Sequence, residues 1–320
     1  MANLENEGFD YWLQWQVPVC ALIIIIPAIV AVILIYKSKR AHLSVYDLWV
    51  PCWKELNPLW LLIYRALVFV IMFCLLSLDV ALHGAYSFYF YTQWTFALVT
   101  IYFALGTILS AHGCWTHLKK SATKNEEGDG FLKRGLDESE STTISFRSNK
   151  VWGLTKLQIH HERKEIDQRA GFWGNLMQII YQTCTGAAMQ TDIVFWCLLV
   201  PFLSADTFRL NLLMGFMHSL NVVFLLLDTA LNNLPFPWFG FVYFIIWSCL
   251  YIVFQWVLHA CGFTWWPYAF LELSTPWAPL WYFALALVHV PCYSFYVLVV
   301  KAKNYAFPKL FPHAYVGSSL

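Results

Sequence analysis

Charge is what this sequence has least of. Asp, Glu, Lys and Arg together make up 12% of 320 residues, about half the share of a soluble domain. Too few charged groups are present to clothe a folded chain of this length in water. The net charge is +1, with no basic excess to meet a phosphate backbone, which argues against nucleic acid as a partner. The chain has nine cysteines but no C-x-x-C pair. Most of them (Cys20, Cys74, Cys184, Cys197, Cys249, Cys292) lie in apolar runs. They read as small core residues, not as a disulfide framework or a zinc site, and neither a metal nor a cofactor is expected. The first sixteen residues carry Glu5, Glu7 and Asp10 and no Lys or Arg. A cleavable secretory leader needs a basic start, so this segment is not read as one.

What is abundant is apolar and aromatic. Hydrophobic residues are 59% of the chain and aromatics 19%, with 17 Trp, and the mean hydropathy is +0.55. Such a composition predicts an all-α, polytopic transmembrane helix bundle with aromatics at the membrane interfaces. Seven spans are expected, at about Val17–Tyr36, Leu59–Leu82, Tyr91–Ser110, Leu176–Leu203, Leu210–Leu231, Trp238–Cys261 and Leu280–Val300. The layout is an acidic segment with three spans (1–112), a polar loop (113–174), four spans (175–303) and a tail (304–320). Lys37-Ser38-Lys39-Arg40 follows the first span directly. With this layout 18 of the 20 Lys and Arg fall on one side, so the N-terminus is placed outside or in a lumen and the C-terminus in the cytosol. The membrane is the endoplasmic reticulum or the plasma membrane.

The loop 113–174 holds acidic and Ser/Thr clusters. Its first half reads as disordered, and its second half, near Lys156 to Arg169, as an interfacial helix. His160-His161-Glu162 is a solvated face rather than a metal site, because adjacent residues point to different sides of a helix. Within the spans, Arg65 and Asp79 are four turns apart and cannot pair, and Arg65 is expected to snorkel to the cytosolic face. Gly186, or the run Gln178, Gln182, Thr183 and Thr185, is expected to bend span four, which also holds Asp192 as a structural polar group.

The fifth span is the most informative. His218, Asn221 and Asp228 fall within a wedge of roughly 80° on one side of a helix. Ionisable groups in hydrocarbon cost roughly 2.5 kcal/mol or more each, so they face a bundle interior or a cavity. Hydrogen bonds that lock helices together explain such residues equally well. Asp228, near the cytosolic end, is read as structural. The helix stops at Asn232-Asn233-Leu234-Pro235-Phe236-Pro237. The topology puts Thr95, His218 and His259 in the outer half of the membrane, under a loop carrying Trp265, Trp266 and Glu272. A hydroxyl becomes a useful nucleophile with a base in reach, and histidine titrates in the right range.

The runs MHSLN, LNNLPFPW and YIVFQWVLHACGFTWWPYAFLEL resemble the androgen-induced protein family. The matching positions include Trp256, His259, Gly262, Trp265, Pro267, Tyr268, Phe270, Leu271 and Glu272, and the resemblance covers about Tyr91 to Val300. In layout the chain is similar to the rolling stone-like multi-span proteins, and its TQWTF…TIYF run to plant members of that group. The androgen-induced branch comprises intramembrane threonine hydrolases of fatty acid esters. The resemblance therefore implies Thr95 as nucleophile and His218 as base, with Asn221, His259, Glu272 and Trp266 supporting the pocket. Membrane lipids are then the partners and a fatty-acyl ester the substrate. The sequence departs from that branch in having Ser219 where the branch has Thr, in Asp228, in the long charged loop and in the two extra N-terminal spans. The rolling stone-like group implies no reaction. The competing readings are a non-catalytic membrane protein that signals or adheres through its loops, and a transporter, which should show inverted repeats and broken helices.

Overall fold

The computed structural model describes residues 10–38, 43–135, 169–203 and 212–316. Within them the regular structure is helical: α1 (Gln16–Lys37), α2 (Pro58–His83), α3 (Tyr91–Gly135), α4 (Phe172–Val194), a π turn (Phe195–Leu199), α5 (Val200–Leu203), α6 (Leu212–Met217), α7 (Leu220–Leu231), α8 (Phe241–Ala260) and α9 (Ala278–Leu310). The only extended pairings among the described residues are single bridges, Ser44 with Arg169 and Trp53 with Tyr315. The helix starting near Lys156 and the trio His160-His161-Glu162 fall outside the described residues, as does Arg209.

Among the described residues, six helical stretches are long and apolar enough to cross a membrane: Gln16–Lys37, Pro58–Tyr89, Tyr91–Lys120, Leu212–Leu231, Trp238–Ala260 and Ala278–Leu310. Most of their large side chains that face outward are apolar, such as Leu22, Ile26, Leu67, Val70, Val253 and Leu298. A soluble protein rarely exposes so much contiguous apolar surface. The chain is an integral membrane protein.

The expected fourth span is the exception, and the reason is its position. Helix α4 packs against α3, α7, α8 and α9, and every residue from Ile180 to Thr191 is buried. A helix enclosed by other helices need not be apolar. It carries Gln182, Thr183, Thr185, Gln190 and Thr191, and the threonine hydroxyls donate to carbonyls of their own helix, Thr183 to Ile179 at 2.8 Å and Thr191 to Ala188 at 2.9 Å. The helix runs unbroken through Gly186. A Cβ there would stand 2.7 Å from the Phe244 ring, so this glycine lets α8 approach, as small residues do between membrane helices. The irregularity comes at the π turn instead. Pro201 has no N–H for the carbonyl four residues back, and a local i→i+5 pattern absorbs the defect, with the Val200 N–H bonded to the Phe195 carbonyl.

Three further expectations are corrected. Helix α3 continues to Gly135, through what reads as the disordered first half of the loop. That stretch has no proline and is rich in Lys, Glu, Leu and Arg, which favour helix. The fifth span is not continuous but breaks between α6 and α7. Arg65 does not snorkel. It is fully buried, with Nε 2.9 Å from Asp228 Oδ1, and its Nη1 donates to the Leu48 carbonyl at 2.6 Å and to Ser110 Oγ at 2.9 Å. Asp228 also accepts from Tyr102 at 2.5 Å and from Asn232 at 2.6 Å. Asp79 is bonded instead to His83 at 3.0 Å and Gln93 at 3.4 Å.

Removing one partner of a buried, hydrogen-bonded ion pair leaves an uncompensated charge and costs about 3–5 kcal/mol, whereas replacing both by apolar groups costs far less. Arg65→Met alone and Asp228→Leu alone should each abolish or sharply lower the melting transition of the purified protein. The double replacement should recover much of it. Single variants that melt like the parent would show that the pair holds nothing together.

Candidate functional site

The bundle has two differently built ends. At one, the segment 44–57, the Asn232–Pro237 stretch and the C-terminal 304–316 meet: Cys52 N–H donates to the Leu231 carbonyl at 2.8 Å and Trp53 packs on Phe307, Phe311 and Tyr315. At the other end lie Tyr11, Trp12, residues 84–90 and the loop 261–277. Here aromatic rings form a cap. His259 stacks on Trp266 at 4.5 Å and lies 4.8 Å from the Tyr11 ring. Trp265 packs on Tyr86 and Phe90, and Trp256 donates to the Tyr282 hydroxyl at 3.0 Å.

Beneath this cap is a cavity of about 590 Å³, open mouth included. Its floor and walls come from α3 (Tyr91, Thr92), α4 (Gln190, Thr191), α8 (Ser248, Tyr251), α9 (His289), the helix break (His218) and the loop residue Tyr268. Apolar atoms make most of the lining, with a few convergent polar groups, as binding pockets usually do. The Tyr91 and Ser248 hydroxyls are bonded at 2.8 Å. Tyr268 sits in the loop, where burial pushes its phenol up to about 12. It is therefore a protonated hydroxyl at any physiological pH.

His218 stands where α6 ends and α7 begins. Gly215 and Ser219 both disfavour helix, and the chain turns at His218–Ser219. Carbonyls freed at such a break must find partners inside a membrane protein. Asn221 Nδ2 takes the Met217 carbonyl at 2.8 Å, and Trp196 Nε1, from the π turn, takes the His218 carbonyl at 2.9 Å. Phe195, from the same turn, lies flat on the imidazole at 3.7 Å and 4°. The ring is thereby oriented. Its Nε2 is 3.5 Å from Thr92 Oγ1 and its Nδ1 is 3.9 Å from Asp192 Oδ1. The Thr92 hydroxyl, the His218 imidazole and the Asp192 carboxyl thus stand in a row, with no hydrogen bond between the last two.

The residues singled out in the sequence divide. His218 and Asp192 meet, with Asn221 supporting the turn between them. Thr95 lies one turn further into α3 than Thr92, fully buried, its hydroxyl without a hydrogen-bond partner. The hydroxyl facing His218 is that of Thr92. His259 and Trp266 belong to the aromatic cap and do not line the cavity, and Glu272 accepts from Ser274 at 2.7 Å. The loop closes the cavity with Tyr268, Phe270 and Leu271 instead. Asp228 sits in the Arg65 network at the other end. Sequence reasoning did not select Thr92, Gln190, Ser248 or His289. His289 carried the available signal, an ionisable group in an apolar span. The others are ordinary polar residues until the helix phases are known.

No protein-family model, no curated protein and no solved structure matches the chain. The class is therefore set by the molecule alone: an integral membrane helix bundle with a mostly apolar cavity, carrying a few polar groups, under one end.

The indole of Trp196 can be tested for its part in the break. Trp196→Phe keeps the packing and removes the donor to the His218 carbonyl, leaving a buried acceptor unsatisfied at a cost of about 1–3 kcal/mol. It should lower the melting temperature clearly, whereas Trp173→Phe, at an exposed position, should not. Equal melting of the two variants would remove Trp196 from the account.

Proposed function

We propose that this protein is an intramembrane hydrolase of lipid esters, with His218 as the general base and a threonine of the Thr92–Thr95 turn as the nucleophile. The observation that carries the reading is the order Thr92, His218, Asp192 at the wall of an apolar cavity. The Thr92–His218 contact is long for a hydrogen bond and the His218–Asp192 pair is not within hydrogen-bond reach, and catalytic contacts tighten when substrate fills a site. The threonine oxygen attacks the ester carbonyl carbon as His218 Nε2 takes the hydroxyl proton. The tetrahedral adduct collapses, the C–O bond to the leaving alcohol breaks, and the imidazolium gives its proton to that alcohol. Water then attacks the acyl-threonine with His218 again as base, releasing the acid and restoring the hydroxyl. Asp192 steadies the imidazolium between the two transfers. The geometry favours Thr92 as nucleophile, and the resemblance to the androgen-induced family favours Thr95.

A fluorophosphonate probe applied to purified protein in nanodiscs separates these. Labelling is expected, with the adduct mapped by mass spectrometry to Thr92 or Thr95. His218→Ala should lose it by at least about a hundredfold, the usual contribution of a general base. No labelling above a heat-denatured control, or unchanged labelling in His218→Ala, would leave a non-catalytic binding protein as the better reading.

The same proposal places seven membrane-embedded helices, with α4 as the seventh and the cavity in the outer or lumenal half. The Lys and Arg bias supports this orientation. An epitope tag near Thr264 should be accessible from outside or the lumen, and one near Glu127 from the cytosol. Protease protection that put both tags on one side would overturn the topology.

A further inference from the structure

The far wall of the cavity carries polar groups that the hydrolytic triad does not use, and they define what the ligand must offer. Gln190 is buried, with its Oε1 unpartnered. Its amide nitrogen lies 3.5 Å from His289 Nδ1. That same Nδ1 is 2.7 Å from the Leu285 carbonyl. A carbonyl only accepts, so Nδ1 carries the ring proton and Nε2 of the neutral ring is an acceptor. Close by, Ser248 and Tyr91 share one hydrogen bond, which leaves an acceptor lone pair and a proton to be distributed between them and a guest. A buried amide with a free end is costly unless something bonds to it. Whichever way the amide is turned, the wall offers both donors and acceptors, and a hydroxyl is the small group that matches both.

Charge narrows the guest further. Among the described residues lining the cavity none is Lys or Arg. An anionic head in that space would be taken out of water into a low dielectric with no cation to offset it. A neutral lipid meets no such cost. Apolar side chains such as Val194, Leu199, Ile252 and Leu285 supply the rest of the lining, which suits acyl chain.

We propose that the cavity binds an uncharged acylglycerol, a mono- or diacylglycerol, with its ester carbonyl toward Thr92 and His218 and its free hydroxyl against Gln190 and His289. This rests on the hydrolase reading only for the direction in which the ester points. Recognition of the neutral head by the Gln190 wall stands on the cavity alone.

The test is therefore binding, not turnover. The full chain in nanodiscs is cross-linked with a diazirine- and alkyne-bearing monoacylglycerol, and the label is competed with unlabelled monooleoylglycerol or with oleate. The measurement is made in the unmutated protein and in His218→Ala, which cannot turn the ligand over. Monooleoylglycerol is expected to compete at least about tenfold better than oleate in both, the discrimination of one matched hydrogen-bonding group over a mismatched one. The label should map to the α4 and α9 residues around Gln190 and His289. Gln190→Leu should lose most of that preference, and Ser248→Ala, a milder change, part of it. Equal or better competition by oleate, or labelling that maps outside the cavity, would overturn the acylglycerol assignment. Selective binding without fluorophosphonate labelling would instead uphold it and reject hydrolysis.

Discussion

The ion pair between Arg65 and Asp228 is the constraint on which the bundle depends. Neither charge can be placed alone in a membrane interior, and each draws hydrogen bonds from further helices. Arg65 brings α2 to α7, to α3 through Ser110, and to the segment before α2 through the Leu48 carbonyl. Asp228 brings in α3 again through Tyr102. One residue on, Thr229 bonds Tyr181 of α4 at 2.6 Å and Tyr296 of α9 at 2.5 Å. Lys303 of α9 caps the same end of α7, its Nζ donating to the Thr229 and Asn232 carbonyls at 2.7 Å each. Helices cannot slide or rotate past one another here without stranding a charge. This is specificity bought with buried polarity, since hydrophobic burial gives lipid-immersed helices little preference for one neighbour over another.

With that end fixed, the other end is free to be hollow. The two are joined by α7 and α4. On and beside α7, His218, Asn221, Asp228, Thr229 and Asn232 are all buried on one inward side. From His218 to Asp228 is ten positions, about 15 Å along the axis. One polar stripe thus serves two purposes: its half around Asp228 is saturated with hydrogen bonds, and its half around His218 is not. Around the break, side-chain atoms of Thr95, Gln190, Asp192, His218 and Asn221 are left without partners, and Gln190 and His218 among them line the cavity, whereas none belongs to Asp228, Thr229 or Asn232. Unsatisfied groups of this kind cost stability, and a molecule that bonds to some of them recovers it.

Much of the architecture was legible because hydropathy and helix length are direct physical requirements of a bilayer. What escaped depended on context. Helix α4 reads as an ordinary span with an embarrassing run of Gln and Thr, and only its enclosure by four helices explains why those residues are tolerated. Arg65 reads as a residue near enough to an interface to snorkel, because its partner lies 163 positions away. The side of the fifth span that bears His218, Asn221 and Asp228 could be read from periodicity. Its break could not, since Met217, Leu220 and Val222 continue the apolar pattern across Ser219. Thr92 and Thr95 differ by three positions and share a helix face, so choosing between them requires the depth of His218 relative to α3. That depth is set by the turn at Ser219, which no spacing rule supplies.

The location of the two backbone irregularities carries the last step. A π turn and a helix break each disturb main-chain hydrogen bonding, and in a membrane such disturbance is tolerated only inside protein or against a cavity. Here the two defects face each other, and the π turn repairs the break. The π turn presents Trp196 to the carbonyl released by the break, and Phe195 to the face of the imidazole that the break exposes. Pro201 makes the first defect local to α4, and Ser219 makes the second local to the fifth span. Neither is needed to cross a bilayer, which an unbroken apolar helix does at lower cost. Their joint effect is to aim one histidine, flanked by Thr92 and Asp192, into the cavity. Strained or irregular backbone persists where the surroundings over-determine it, and the Arg65–Asp228 network at the opposite end is what allows this end to bear it.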